Sequence, residues 1–265
     1  MPFEPPLAII PTYLRGAEDL DKLARCMVSL EATASGTTML VVDDASPDER
    51  ASADARVLAG ELRGAYVRNE ANRGFAGTVN AGLAIARDEG LDALLVNADL
   101  EFPMRGWMEA MLARTDHEGR PAAVVGARLL YPTHLIQHGG IYFSALLRDW
   151  FHRFKFGPAN LPEALEPSRC PVTGALQLIR HDTLRRVGLY DEDFGLAYED
   201  VDYCLRVFAE GLECIYEPAA VALHLEKAFR GAPTPRIAAL HDRSVLHFRA
   251  KYAGYDVTPW APAVR

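Results

Sequence analysis

Residues 94–101 read Leu94-Leu95-Val96-Asn97-Ala98-Asp99-Leu100-Glu101, and the fold turns on how that stretch is read. An apolar run leads directly into two carboxylates spaced two apart. Such a run, bounded by polar residues, predicts a strand buried on both faces. A strand that ends in acids delivers them to the carboxyl edge of a parallel sheet, where open α/β sheets bind ligands. If the chain stays extended, Asp99 and Glu101 point to one side. Two hard oxygen ligands there suit Mg²⁺ or Mn²⁺ holding a phosphate. The same acids could also be a solvated loop pair, so the neighbouring segments decide.

Upstream, Leu7-Ala8-Ile9-Ile10 predicts a first buried strand, ended by Pro11-Thr12-Tyr13. Residues 17–33 place Leu20, Leu23, Ala24, Met27, Val28 and Leu30 at helical spacing. Thr38 to Val42 predicts a second strand, ending in Asp43-Asp44-Ala45-Ser46-Pro47-Asp48. A helix over 48–62, a strand over 65–68, a polar Gly-containing loop over 69–77 and a helix over 78–88 follow. Strand and helix alternate throughout, which means a parallel sheet with helices on its faces. Acids gathered at two neighbouring strand ends repel unless a cation or hydrogen bonds relieve them. The chain has no G-x-G-x-x-G and no G-x-x-x-x-G-K-[ST], which argues against the usual dinucleotide fold and a P-loop.

Downstream of Pro103 the alternation breaks down. The pattern predicts a helix over 106–115, a strand over 122–130 and a less regular stretch over 131–170. Aromatic and basic residues interleave from Arg148 to Lys155, a segment suited to stacking on a sugar ring, holding a phosphate, resting on a lipid surface, or packing as a lid. A strand over 172–179 precedes a short helix to Val187, with Asp182 as its expected cap. Glu199-Asp200 opens a further helix with Val201, Cys204, Leu205 and Phe208 inward, and Asp202 and Arg206 are expected to pair on its outer face. Short strands over 214–216 and 220–224 and a helix over 237–252 complete the chain. No repeat or linker interrupts it. The expectation is one domain over 1–265, with a nucleotide-binding half over about 1–102 and an acceptor-binding half over about 103–265.

Composition limits the function. A net charge of −8 argues against broad nucleic-acid binding, which needs a basic surface. Met1 to Pro6 shows neither a basic nor an apolar leader segment, and no apolar run is long enough to span a bilayer. Cys26, Cys170, Cys204 and Cys214 have no zinc spacing and read as reduced, buried thiols, so a cytoplasmic location is expected.

The order of motifs then carries a resemblance. Pro11-Thr12-Tyr13, Val42-Asp43-Asp44-Ala45-Ser46, Asn72-Arg73-Gly74-Phe75-Ala76-Gly77 with Asn80, Asn97-Ala98-Asp99, Thr173-Gly174-Ala175, Tyr198-Glu199-Asp200-Val201-Asp202 with Arg206, and His224 come in one succession. Over about residues 7–230 this resembles the inverting GT-A glycosyltransferases of family 2, in particular bacterial rhamnosyltransferase-like members of polysaccharide and lipopolysaccharide pathways. The resemblance implies a GT-A fold, a UDP- or dTDP-sugar donor, a divalent metal (Mg²⁺ or Mn²⁺) and a glycan or lipid-linked acceptor. It leaves room for a homodimer and for peripheral contact with the inner face of a membrane. By position, Pro11, Thr12 and Tyr13 with Asp43 or Asp44 would contact the base and ribose. Asn72, Arg73 and Gly77 lie in and beside a loop that holds the nucleotide, with Asn97 and Ala98 beside the diphosphate. Asp99 matches the last acid of the D-x-D metal element, His224 a position that completes the coordination, and Asp200 the catalytic base, with Glu199 orienting the acceptor or tuning it.

Three departures stand out. Leu14 occupies a position where relatives often have Asn. The metal element begins with Asn97 rather than Asp, for which Glu101 would compensate. Residues 128–170 match no motif. Two other classes fit parts of the chain: a nucleotidyltransferase making activated sugars, which would need a Gly-rich basic loop after the first strand, and a non-catalytic nucleotide-sugar-binding module.

Overall fold

The computed structural model describes residues 5–115, 121–225 and 234–256. In chain order the elements are β1 (Leu7–Thr12), α1 (Ala17–Thr33), β2 (Met39–Asp43), α2 (Glu49–Glu61), β3 (Ala65–Arg68), α3 (Gly74–Glu89), β4 (Ala93–Val96), β5 (Leu100–Glu101), α4 (Trp107–Thr115), β6 (Val124–Leu130), β7 (Ile136–His138), β8 (Ile141–Ser144) and β9 (Asp149–His152). A 3-10 turn (Pro162–Leu165), β10 (Ser168–Arg169), β11 (Leu176–Ile179), α5 (His181–Val187), α6 (Glu199–Ala209), β12 (Cys214–His224) and α7 (Pro235–Lys251) follow.

One sheet runs β10-β12-β6-β11-β4-β1-β2-β3, with β5 added to β12 and β7 to β6. Strands β4, β1, β2 and β3 are parallel, β11 is antiparallel to both β4 and β6, and β12 is parallel to β6. The chain steps outward through β1, β2 and β3, then returns to the other side of β1 as β4. That reversal opens a crevice at the carboxyl ends of β1 and β4, the usual ligand position in such sheets. The central strands β1, β2, β4 and β11 are buried on both faces, as their apolar runs predict, while β3 at the edge is half-exposed. In β4, Leu94 and Val96 join Ile10, Leu23, Met27 and Trp107 on one face, while Ala93 and Leu95 join Ile9, Val42, Leu83 and Tyr203 on the other.

Several elements differ from the sequence reading. Helix α3 starts at Gly74, inside the expected loop. Asp182 does not cap α5: Arg180 occupies that position and makes no side-chain cap bond. Asp202 pairs with Arg206 as expected, at 2.9 Å, but inside the protein with no exposed surface. The two short strands are one, β12, with its register interrupted between Glu217 and Val221, where Pro218 supplies no backbone N–H. The stretch over 131–170 holds β7, the β8–β9 hairpin and β10. Only 176–179 of the expected 172–179 strand pairs.

Candidate active site

A cavity of about 650 Å³ opens at the carboxyl ends of β1 and β4. Pro11, Thr12, Tyr13, Asp44 and Asn72 line it from the ends of β1 and β2 and the loop before α3, Asn97, Ala98, Asp99 and His224 from the ends of β4 and β12, and Thr173, Gly174, Ala175, Glu199 and Asp200 from the segment before β11 and the start of α6. The β8–β9 hairpin adds Trp150, Phe151 and His152, and α7 adds Ile237, Leu240 and His241.

The position of Asp99 follows from a turn. After β4 the chain does not stay extended; it turns through Ala98 and Asp99 before β5. Strand β5 pairs with the end of β12, setting Leu100 opposite His224. Leu225 N–H donates to the Asp99 carbonyl at 3.0 Å, tying the two backbones together. His224 Nε2 then lies 3.1 Å from Asp99 Oδ1. A carboxylate oxygen and an imidazole nitrogen converging at one point form a donor set that fits Mn²⁺. The same turn removes Glu101, because side chains two apart share a side only on an extended chain. Glu101 pairs with Arg25 of α1 and lies off the cavity, so it does not join Asp99 as a ligand.

Asp43 and Asp44 divide as alternate strand residues do. Asp43 is fully buried and accepts from Ser46 N (2.8 Å) and from the hydroxyls of Ser46, Ser52 and Tyr66. Burial alone would raise its pKa, but the bonds from Ser46, Ser52 and Tyr66 outweigh it and hold the carboxyl below its ordinary value. Of the two alternatives offered for the base or ribose contact, Asp43 is thus bound within the scaffold and does not line the cavity. Asp44 lines the cavity, and its carboxylate accepts from Arg73 N (2.7 Å), Gly74 N (2.9 Å) and Asn69 Nδ2 (3.0 Å), pinning the start of α3. The Arg73 guanidinium turns away to Glu192 at 2.9 Å. Gly77 sits in α3, where a side chain would strike that of Arg73. Neither Arg73 nor Gly77 lines the cavity.

Asp200 is the second residue of α6. Its Oδ2 accepts from Gly174 N at 3.1 Å and its Oδ1 from Val201 N at 2.8 Å. The same strip of chain meets β4, since Asn97 N donates to the Ala175 carbonyl at 2.8 Å. The residues Thr173 to Ala175 thus join the carboxyl end of β4 to the start of α6. Tyr198, just before α6, has a left-handed backbone (φ 71°), and its hydroxyl donates to Asp149 Oδ1 of β9 at 2.6 Å.

Three groups in this region carried no sequence signal. Ser244, mid-helix in α7, accepts the N–H groups of Gly195 (2.9 Å), Leu196 (3.0 Å) and Ala197 (3.4 Å). Gln137 of β7 sits behind His224. His138, fully buried, has Nδ1 2.7 Å from His152 Nδ1. Burial, with His152 and His224 nearby, pushes the His138 pKa well below its ordinary value, so it is neutral at pH 7. Its Nε2 accepts from Gly140 N at 3.3 Å, so the proton resides on Nδ1 and points at His152. A second acid–histidine group, Asp191, Asp193 and His247, lies off the cavity, and Lys251 already occupies Asp191 at 2.6 Å.

Comparisons with known proteins bear on the fold and the family. Over 97% of its length the chain superposes on 51% of a GalNAc-T7 structure solved with UDP, GalNAc and Mn²⁺, at 17% identity and a TM-score of 0.67. That likeness supports the GT-A fold. The chain is 29% identical over 145 residues to the O-antigen biosynthesis protein RfbC of Myxococcus xanthus, covering 52% of this chain and 11% of that protein. It is 28% identical over 173 residues to the N-acetylglucosaminyl-diphospho-decaprenol L-rhamnosyltransferase of Mycobacterium tuberculosis, covering 64% of this chain and 53% of that protein. The chain therefore spans about half or less of the length of these curated relatives. Residues 7–163, more than half of the chain, match the model of Glycosyl transferase family 2, and the chain belongs to that family.

Proposed function

We propose that the protein is an inverting, metal-dependent glycosyltransferase that moves a sugar from a nucleoside-diphosphate donor to an acceptor hydroxyl in bacterial polysaccharide or lipopolysaccharide assembly. The observation that carries this reading is that the Asp99–His224 pair and Asp200 line one cavity. Thr12, Tyr13, Asn72 and the Asp44-pinned loop form a wall for the base and ribose. Residues 1–102 supply most of this donor wall, and residues 103–265 supply the acceptor side.

Asp200 acts as general base. Its two backbone hydrogen bonds hold the carboxylate still. It removes the proton from the acceptor hydroxyl as that oxygen bonds to the anomeric carbon. The bond from that carbon to the diphosphate breaks on the opposite face, and Asp200 later releases the proton to water. A divalent cation, when bound, supplies Lewis-acid stabilisation of the charge on the departing diphosphate; Asp99 and His224 would hold it. Glu199, beside Asp200 on the wall, orients the acceptor. No second carboxylate is required as a nucleophile.

For the donor we propose a UDP- or dTDP-sugar, with L-rhamnose the first sugar to test because the mycobacterial relative is named for it. Its name also makes a lipid-linked diphosphate the first acceptor to test. We place the enzyme in the cytoplasm, in peripheral contact with the inner face of the membrane, where such an acceptor would present its glycan. A homodimer is compatible with this placement. No helix among the described residues is long and apolar enough to cross a membrane.

The test is turnover of a UDP- and dTDP-sugar panel with Mn²⁺ by the wild type and by Asp200→Asn. Loss of the general base lowers kcat by about 10²–10⁴-fold with donor affinity kept. Transfer at the native rate by Asp200→Asn removes Asp200 as the base. Release of pyrophosphate from a nucleoside triphosphate would replace this reading with nucleotidyl transfer.

A further inference from the structure

We propose that Gln137 of β7 is a positioning residue for the cation site: it fixes the proton of His224 on Nδ1 and so presents the Nε2 lone pair to the space shared with Asp99. The proposal rests on the reading that Asp99 and His224 hold a divalent cation.

The geometry leaves little freedom. Gln137 is 5% exposed. Its Nε2 donates to the His224 carbonyl at 3.4 Å, which orients the amide, and its Oε1 lies 2.6 Å from His224 Nδ1. An amide oxygen only accepts, so Nδ1 must carry the hydrogen. In the neutral ring the lone pair then resides on Nε2. That nitrogen lies 3.1 Å from Asp99 Oδ1, and an ionised carboxylate also only accepts.

Two acceptors this close repel unless positive charge lies between them. The backbone cannot relieve the contact, because Leu100 is paired opposite His224 and Leu225 N–H is bonded to the Asp99 carbonyl. Gln137 is fixed as well: its neighbours Ile136 and His138 are in register with Leu130 and Leu129 of β6. This matches the general way proteins build metal sites, in which the ligating imidazole gives its other N–H to a fixed acceptor and the ring is thereby oriented. A neutral amide does this without adding another buried negative charge beside Asp99.

The experiment uses the full chain, with MnCl₂ and UDP as probes. Titration calorimetry and the Mn²⁺ electron-resonance signal give metal affinity, and the ¹⁵N imidazole spectrum of the metal-free protein gives the His224 tautomer. Gln137→Leu should weaken Mn²⁺ about 10–100-fold, the usual cost of losing such a partner, and should give His224 a mixed tautomer. Gln137→Glu, which still accepts the Nδ1 hydrogen, should hold Mn²⁺ within about threefold of the wild type, well inside that range. If Gln137→Leu fails to fold, Gln137→Met serves with the same expectation. Wild-type affinity and an unchanged tautomer in the folded Leu or Met variant would overturn the proposal. If the wild type and His224→Ala take up Mn²⁺ equally, the metal reading itself fails, and the cation-site role of Gln137 falls with it.

Discussion

Ser244→Ala is the most informative single change outside the cavity. One hydroxyl accepts three successive N–H groups of the loop entering α6, at 2.9, 3.0 and 3.4 Å, and donates to the Leu240 carbonyl at 3.1 Å. Ser244 is fully buried, so water does not replace the lost acceptor. A typical hydrogen bond contributes about 1 kcal/mol net, and a buried donor left unpaired costs about 1–3 kcal/mol. Counting the two short bonds and one stranded N–H gives a loss of about 3–5 kcal/mol. At about 2–4 °C per kcal/mol for a domain near this size, the melting temperature should fall by about 12 °C. The loosened loop feeds directly into Tyr198 and Asp200. A misplacement of about 1 Å at a reacting group costs about 10²-fold, so kcat should fall by about 10–100-fold. Mn²⁺–UDP affinity should stay within about twofold, less than RT in free energy, because Thr12, Asp99 and His224 lie on other elements. The assays are thermal melting, amide exchange over residues 195–200, and a kcat measurement set against UDP affinity. Unchanged exchange in that loop, or UDP binding that falls in step with kcat, would refute the reasoning.

Asp43→Asn should destabilise by about 2–4 kcal/mol at pH 7, because it strips a buried acceptor from the Ser46, Ser52 and Tyr66 hydroxyls. Tyr66, its pKa pushed up to about 12 by burial and by Asp43, remains a donor throughout the accessible range. Because the folded-state value of Asp43 lies below its unfolded value of about 3.9, its stabilisation is whole above that pH and is lost as pH falls through the folded value. Urea unfolding of the wild type should therefore weaken on acidification through this window, and more steeply than that of Asp43→Asn. Glu101→Gln should leave Mn²⁺ affinity unchanged by calorimetry, since Glu101 faces Arg25, and should move stability by under about 1 kcal/mol. Gly82→Ala would drive a Cβ into the Ile9 Cγ2 methyl where α3 crosses β1. It should cost about 1–3 kcal/mol in urea unfolding, with Ile9→Val recovering part of the loss.

The front half of the fold was legible because each element declares itself locally. Runs such as Leu7 to Ile10 and Leu94 to Val96 are strands buried on both faces, and the helices between them carry apolar residues at helical spacing. The placement of Asp99, His224 and Asp200 in one cavity also follows from acids at strand and helix ends once the sheet order is known. What the sequence concealed depends on long-range partners. The hydroxyls that bind Asp43 come from residues 3, 9 and 23 positions on. Glu101 was misread because the chain turns at Ala98–Asp99 instead of remaining extended. Ser244 looks like any polar residue on an amphipathic helix, and only the loop folded over it gives it a role. Gln137 lies in a three-residue strand, too short for alternation to reveal.

Three pairs of acids in this chain share a common logic. In Asp43/Asp44, Asp99/Glu101 and Asp200/Asp202, one member lines the cavity and the other is committed to the scaffold. Asp43 is bound by three hydroxyls, Glu101 by Arg25, and Asp202 by Arg206 (2.9 Å), Lys251 (2.7 Å) and the Tyr252 hydroxyl (2.8 Å). The buried acid of the third pair is also what fastens α7 behind α6, because Lys251 and Tyr252 both extend from the end of α7. Each cavity acid is thus held from behind by a neutralised partner one or two residues away. Among the cavity acids, Asp44 receives three N–H donors and Asp200 two, all from main-chain N–H groups except the Asn69 amide. The Asp99 side chain instead meets an imidazole nitrogen whose proton Gln137 has drawn to the far side of the ring. Positive charge is therefore most needed at Asp99, whereas both carboxylate oxygens of Asp200 already accept main-chain N–H groups. That difference supports the proposal that Asp99 and His224 would hold a cation while Asp200 takes the acceptor proton.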